Sequence, residues 1–465
     1  MEVQSRNPAT GEVVFSTKAV TAEEVSSAVR RAVDAWPTWA QRPVSERAHV
    51  LHTFANLVGR DAGRLAALIT REVGKRAVDA QAEVDWTALS ARWYVDHPPL
   101  LETVNGARIE RVPLGVIAAV TPWNVPLVTP AWKWLPALMA GNAVVWKPSE
   151  LATGIAFEAT KLLREAGLPR DVLQVLPGDA HQARSLCADP RVAGVHFTGS
   201  TRAGRAINEL VAPRFARAAL EMGGLNTAIV FPDADITSAV ESVVASGTAL
   251  TGQKCTAIRR VMVHRRVADE FIDHLCACIE RLTVGPPDDP AVDVGPMVTA
   301  DACHTAEQAL TSALERGGKI LARSAGIPQT AETTAAAYFS PVVITGLAPG
   351  DPLKREEVFA PILVLDVFDE GDDVWGDANA SGYGLAGAVY TNDSHRVAEA
   401  TRSLTVGVLA INGRSDAVGL EQPFGGRGLS GSGLPEGGRY VYAAVTDTVA
   451  IYDSNALTAQ TRPTE

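Results

Sequence analysis

The feature that most restricts the fold of this sequence is a series of five short apolar runs, 116–120, 143–146, 172–175, 192–197 and 218–220, with helix-patterned segments such as 151–165 and 202–210 between them. Runs of this kind, lacking polar alternation, belong to strands covered on both faces. Strands joined through helices run parallel, because a parallel pair needs a long crossover. The segment therefore predicts successive β–α units around a parallel sheet. Such sheets bind ligands beyond the C-terminal ends of their strands. Trp123, Asn124, Lys147, Glu150, Gly178, Thr198, Gly199 and Ser200 all fall just past those ends, where a dinucleotide would lie.

A second α/β region starts near Leu225, with strand 227–231, helix 236–249, strand 259–264 and helix 268–282 expected. Ahead of the first region, the turn cluster Asn7-Pro8-Ala9-Thr10-Gly11 precedes a short strand. Thr21 and Glu24 have capping-box spacing for a helix reaching about Trp36, and amphipathic helices follow between Ser45 and about Tyr94. Residues 441–452 carry an alternating strand pattern. A chain of 465 residues exceeds one simple core, so two or three domains are expected. A net charge of −11 argues against nucleic acid or an anionic membrane as partner. No basic segment with an apolar stretch opens the chain and no apolar run reaches spanning length, which predicts a cytoplasmic protein. The cysteines at 187, 255, 276, 278 and 303 are odd in number and irregularly spaced, as expected of reduced thiols. Cys276 and Cys278 point to different faces of one helix, so they make a poor metal pair and no metal is expected.

Cys255 stands apart from the other four. It follows Gly252-Gln253-Lys254 at the end of the small and apolar run 243–250, so the backbone can approach a ligand while the thiol projects into a cleft. A lone cysteine is ordinarily a small buried hydrophobe, and only its surroundings make it a nucleophile. Glu221 lies 34 residues upstream, in Leu220-Glu221-Met222-Gly223-Gly224-Leu225-Asn226. In order along the chain come five further motifs: Thr121-Pro122-Trp123-Asn124, Lys147-Pro148-Ser149-Glu150, Phe197-Thr198-Gly199-Ser200-Thr201, Glu356-Glu357-Val358-Phe359-Ala360-Pro361 and Pro423-Phe424-Gly425-Gly426. Together these residues resemble the aldehyde dehydrogenase superfamily over nearly the whole chain.

The resemblance implies two doubly wound α/β domains and a small β oligomerisation flap. Residues 1–94 and 114–223 would bind NAD(P), 224–432 would be catalytic, and 95–113 with 433–465 would form the flap and tail of a homodimer or homotetramer. The implied reaction is NAD(P)-dependent oxidation of an aldehyde to the carboxylic acid, which needs a nucleophile, a hydride acceptor and a base. Cys255 is the implied nucleophile, and Asn124 with the Cys255 backbone N–H the implied oxyanion donors. Glu221 is the implied base for thioester hydrolysis, its pKa raised beside the largely apolar run 216–220. Implied cofactor contacts are Thr121, Pro122, Trp123, Lys147, Ser149, Glu150, Gly178, Phe197, Thr198, Gly199, Ser200, Gly223, Glu357 and Phe359. Among them Lys147 and Glu150 resemble the adenosine-ribose pair, Glu357 and Phe359 the nicotinamide-ribose residues, and Ser200 opens a helix toward the pyrophosphate. A carboxylate at Glu150 accepts from both ribose hydroxyls of NAD and repels a 2′-phosphate, so NAD is expected over NADP. Trp86, Val125, Thr129, Trp132, Thr256 and Phe424 are the implied substrate wall. Arg414 or Lys254 would meet an anionic group if the substrate is a semialdehyde.

The glycines of Gly426-Arg427-Gly428-Leu429-Ser430-Gly431 have dinucleotide-motif spacing, but no helix-then-strand unit follows, and they read as a loop closing over the site. Leu225, Ala360 and Thr248 depart from the family's usual residues without removing a catalytic group, and they leave the substrate class open. Glu221 argues against a CoA-acylating relative. Cys255, Glu221 and Asn124 together argue against a non-catalytic structural homologue.

Overall fold

Residues 2–104, 107–326 and 337–452 are described in the structure, a computed structural model. An antiparallel pair, β1 (Glu2–Arg6) and β2 (Val13–Lys18), is followed by four helices, α1 (Ala22–Ala40), α2 (Val44–Arg60), α3 (Ala62–Val73) and α4 (Ala77–Asp96). The capping box forms: Glu24 N–H donates to Thr21 Oγ1 at 3.2 Å and Thr21 N–H to Glu24 Oε2 at 2.7 Å. A cap of this kind contributes about 1 kcal/mol. α1 runs past Trp36, with Pro37 in its last turn. A hairpin, β3 (Glu102–Val104) and β4 (Ala107–Pro113), comes next.

The five apolar runs become β5 (Val116–Val120), β6 (Ala143–Lys147), β7 (Leu173–Val175), β8 (Val192–Gly199) and β9 (Arg217–Met222). They alternate with α5 (Val128–Ala140), α6 (Thr153–Glu165), α7 (Ala180–Ala188) and α8 (Thr201–Val211). Their sheet is parallel throughout, in the order β7-β6-β5-β8-β9. Every residue of β5 and β6 is buried, which is why neither shows polar alternation. One face packs on α2, α4, α5 and α6, the other on α1, α7 and α8. The chain steps outward from β5 to β7 and then returns to β8, so the order reverses beside β5 and opens a crevice there.

Gly223-Gly224-Leu225 carries the chain into a second sheet of seven strands. These are β10 (Asn226–Val230), β11 (Ile258–His264), β12 (Lys319–Arg323), β13 (Val342–Thr345), β14 (Ile362–Phe368), β16 (Ala386–Tyr390) and β17 (Val408–Ile411), with the two-residue β15 (Tyr383–Gly384) outside it. The order is β12-β13-β14-β11-β10-β16-β17, and only β12 runs antiparallel. α9 (Ile236–Thr248) and α10 (Arg265–Arg281) pack together on it. The loop from Gly426 to Gly431 holds β18 (Arg427–Gly428), which pairs with β15.

The strand expected over 441–452 is corrected in its first half. Tyr442–Val445 form one helical turn, preceded by a 3-10 turn at Gly438–Val441, and only β19 (Thr446–Ile451) is a strand. Val441, Tyr442 and Val445 are buried against the first core, and their spacing fits a helical turn as well as an extended edge. β19 pairs antiparallel with β4, completing a three-stranded sheet with β3. The tail beyond residue 452 lies outside the described residues. All five cysteines are free, and Cys276 and Cys278 pack on the second core. Among the described residues no helix is long and apolar enough to cross a membrane, and no group of three or more acidic, His or Cys side chains could hold a metal.

Candidate active site

A cavity of about 830 Å³ lies between α4 and α5 on one side and α9 with the Cys255 loop on the other. Trp86, Val125, Thr129, Trp132, Lys254, Thr256, Arg414 and Phe424 all line it, as do Cys255, Asn124, Trp123 and Thr198. Trp132 and Phe424 meet edge to face, with centroids 6.0 Å apart.

The loop that presents Cys255 is a sharp turn. Leu250, Thr251 and Gly252 have φ of 52°, 59° and 68°, a left-handed run that costs the two non-glycine residues roughly 1–3 kcal/mol each. Gly252 is required twice over, since a Cβ there would sit 2.4 Å from the Ala360 carbonyl carbon. Gln253 Oε1 accepts from Val298 N–H at 2.9 Å, and Asn226 donates to the carbonyls of Cys255 and Ala257 at 2.7 and 2.8 Å. Asn124 Nδ2 donates to the Gln253 carbonyl at 2.8 Å, so the amide crosses from the crevice beside β5 to the residues before Cys255. One amide hydrogen is used in that bond and the other remains for the cavity. Burial pushes the Cys255 thiol up to about 12; Lys254 opposes the shift, while Glu357, Glu221 and Glu436 reinforce it.

Glu221 is 2% exposed and is not on the cavity wall. Its Oε2 accepts from Gly426 N–H at 2.8 Å, while Oε1 has no partner among the described residues. A Cβ on Gly425 would lie 2.8 Å from that Oε1, so glycine makes room for the carboxylate. Desolvation, then the neighbouring Glu436 charge, raises its proton affinity well above the ordinary glutamate value, against the Gly426 N–H and Lys133. Lys133 and Glu436 form a fully buried ion pair. Neither was singled out in the sequence, although Lys133 is the sole charge in α5, and that isolation is the signal for it. Asn226 belongs to the Glu221 motif but its role does not show there, and Glu436 leaves no comparable trace.

Two further clusters frame the cavity. Glu83 Oε1 accepts from the Leu127 and Val128 N–H groups at 2.7 and 3.1 Å, at the start of α5. Its other oxygen pairs with buried Lys75, so the pair anchors the turn that carries Asn124 and Val125. Asp416 accepts from Arg414 Nε and Nη2 at 2.8 Å each and from Lys254 Nζ at 2.8 Å. Burial alone would raise the Asp416 carboxyl, but the Arg414 hydrogen bonds and the Lys254 charge hold it well below the usual range.

Of the expected cofactor residues, those from Thr121 to Ser200 lie at or just past the C-terminal ends of β5, β6, β7 and β8, Gly223 follows β9, and Glu357 and Phe359 lie in the loop before β14 of the second sheet. Thr121 Oγ1 accepts from Trp146 Nε1 at 2.8 Å, and Pro122 and Trp123 follow it. Lys147 is buried, its proton affinity lowered by that burial, with its ammonium 3.5 Å from the half-exposed Glu150 carboxylate. Ser149 caps the 3-10 turn Glu150–Ala152, Gly178 precedes α7, and Ser200 caps α8. Gly199 lies over the Phe197 ring, where a Cβ would come within 2.5 Å. Glu357 covers Gly223 and accepts from Gly224 N–H at 3.3 Å, and burial raises its carboxyl to about 7. Thr198 Oγ1 is buried without a partner among the described residues. A loosely paired buried ammonium, an orphan hydroxyl and an open helix N-terminus fit a dinucleotide.

Comparison with known proteins agrees. The profile of the aldehyde dehydrogenase family matches residues 1–451. N-succinylglutamate 5-semialdehyde dehydrogenase of Novosphingobium aromaticivorans is 34% identical over 444 residues, 93% of this chain and 92% of that protein. Betaine aldehyde dehydrogenase of Rhizobium etli is 34% identical over 443 residues, 93% of this chain and 90% of that protein. The structure of 3,6-anhydro-L-galactose dehydrogenase in complex with NAP superimposes with a TM-score of 0.91 at 30% identity, covering 97% of this chain and 96% of that one. The NAD+ complex of an aldehyde dehydrogenase from Bacillus cereus gives 0.92 at 27% identity, over 97% and 93%. This chain belongs to the aldehyde dehydrogenase family and is an NAD(P)-dependent oxidoreductase that converts an aldehyde to the carboxylic acid.

Proposed function

We propose that the substrate is an aldehyde with an anionic group at its far end, oxidised through an acyl intermediate on Cys255 with NAD preferred over NADP. The cluster at Asp416 carries the substrate class: Arg414 and Lys254 share one buried carboxylate, which leaves that cluster with one more positive than negative charge. Arg414 is half-exposed, and Asp416 takes only its Nε and one Nη2 hydrogen, so a second pair of N–H groups is oriented and open. An oriented guanidinium binds a carboxylate bidentately. Of the relatives above, the one named for N-succinylglutamate 5-semialdehyde fits that charge.

Cys255 yields its proton to solvent as its sulfur bonds the aldehyde carbon, and the oxygen takes up negative charge opposite the Asn124 amide and the Cys255 N–H. NAD(P), when bound, supplies the hydride acceptor. With the aldehyde hydrogen gone, Cys255 holds a thioester. Glu221, released from Gly426, removes a proton from water, the water oxygen attacks the thioester carbon, the C–S bond breaks and the acid leaves. The buried Lys133–Glu436 pair adjoins Glu221 and tunes when it holds that proton. Thr121, Lys147, Glu150, Ser200, Glu357 and their neighbours hold the cofactor, with Glu150 selecting the free ribose hydroxyls. Residues 1–94 with 114–223 act as the cofactor unit and 224–432 as the catalytic unit, and copies associate through 95–113 and the strand β19.

The test is kcat/KM for acidic and neutral aldehydes, with NAD and with NADP, in wild type, Arg414→Ala and Glu150→Ser. Losing charged hydrogen bonds of roughly 1.5–3 kcal/mol, Arg414→Ala raises KM for acidic aldehydes about 10- to 100-fold and leaves neutral ones alone. Equal effects on both groups would reduce Arg414 to a loop residue. Glu150→Ser shifts the cofactor ratio toward NADP by about tenfold. A wild type that favours NADP, or an unmoved ratio, removes Glu150 from that role.

A further inference from the structure

We infer that Arg259 is a positioning residue that locks the Cys255 loop to the loop carrying Glu357 and Phe359, so that the nucleophile is presented in step with the contents of the cofactor site. Arg259 lies in β11, four residues past Cys255, and is buried. Its Nη1 donates to the Ala360 carbonyl at 2.9 Å and its Nη2 to the Gly252 carbonyl. Those carbonyls belong to the two loops that meet backbone to backbone at Gly252 and Ala360. The guanidinium also lies 5.7 Å from the centroid of the Phe359 ring, within cation–π range. That ring stands edge-on to Trp123, centroids 5.8 Å apart, and Trp123 adjoins Asn124.

One side chain thus ties together the nucleophile turn, the proposed ribose-binding loop and, through Phe359, the residue before the oxyanion donor. Among the described residues no carboxylate lies within ion-pair distance of Arg259, and its Nε is buried without a partner. Burial lowers its pKa to about 10, a fall that ionisation of Glu357 or Cys255 would oppose. A buried cation left this poorly paired is an expensive way to fill space, and an apolar side chain would pack there at lower cost. What the guanidinium adds is a two-pronged bridge between loops that an apolar residue cannot make. A ligand that moves Glu357 or Phe359 therefore moves the partners of the residue that holds Gly252, three positions before Cys255.

The inference rests on Glu357 and Phe359 holding the cofactor ribose, and the experiment separates the two. Alkylation of Cys255 by iodoacetamide is followed by peptide mass spectrometry with and without NAD, and NAD affinity by tryptophan fluorescence, in wild type, Arg259→Gln, Arg259→Lys and Glu357→Gln. In wild type NAD changes the Cys255 alkylation rate by about fivefold or more. In Arg259→Gln that ratio falls to near one, and kcat drops further than KM for the aldehyde moves. Arg259→Lys keeps the cation but reaches only one carbonyl, and should lose the ratio too; it serves if the glutamine variant does not fold. A wild type without the ratio, or folded Arg259 variants that keep it, overturns the inference. An NAD affinity unchanged in Glu357→Gln overturns the ribose placement; a weakened affinity there beside an unmoved Arg259 ratio overturns the inference alone.

Discussion

At the scale of single residues, Glu221, the proposed base, is held in a posture that keeps its proton. Its carboxylate is out of water, beside Glu436, with one oxygen unpartnered, and each of these favours the protonated form. Since the folded-state pKa is raised, the stability that the neutral group confers is complete below the unfolded value and is lost as pH rises through the folded value. Glu221→Gln has no proton to lose. Its melting temperature should therefore match wild type near about pH 4.5 and exceed it by a few degrees near about pH 8. A difference that is constant with pH, or of opposite sign, would show that Glu221 is not held in a desolvated state. The motifs single out Cys255, Asn124 and Glu221 as candidates, but they do not give the posture of Glu221. Nothing in Leu220-Glu221-Met222 reports that Gly426, 205 residues away, takes its carboxylate. Asp416 is half hidden in the same way: Arg414 is two residues away, but Lys254 reaches it from 162 residues upstream.

Among elements, strands buried on both faces are readable to within a residue or two, because β5, β6 and β8 are short, largely apolar runs with nearly every side chain buried. Most strands of the second sheet were not anticipated. β12 has exposed positions and β17 is only half-buried, so their residues lack the apolar continuity that marks the first sheet. The helical turn at Tyr442–Val445 was misread for the opposite reason, since tertiary burial against the first core decides between two patterns that the residues satisfy equally. The flap makes its own prediction. Leu101, Val104 and Val449 leave apolar side chains exposed on or beside β3 and β19, and the proposed association of copies would cover them. Leu101→Asp with Val449→Asp should lower the mass seen by light scattering while circular dichroism stays unchanged. An unchanged mass would move the interface elsewhere.

For the whole molecule, the organisation follows from where one chain crosses between two sheets. Glu221 lies in the last strand of the first sheet, Asn226 begins the second, and Asn226 reaches back to the Cys255 carbonyl, so the proposed base and nucleophile are tied to either side of the same crossing. The two-unit plan could be read from the sequence because each unit repeats its own β–α alternation. The cavity between the units could not, because it is built from α4, α5, α9 and the 414–418 loop, which are far apart along the chain. The central claim is that an acyl group passes through Cys255 and leaves only when Glu221 activates water. It is tested most directly by mixing Glu221→Gln with NAD and an acidic aldehyde, following NADH on the millisecond scale, and quenching for peptide mass analysis. A burst of NADH near one per site, followed by slow turnover and an acyl group on the Cys255 peptide, is the predicted result; NADH without a burst, or a Cys255 peptide that stays unmodified while NADH forms, would contradict it.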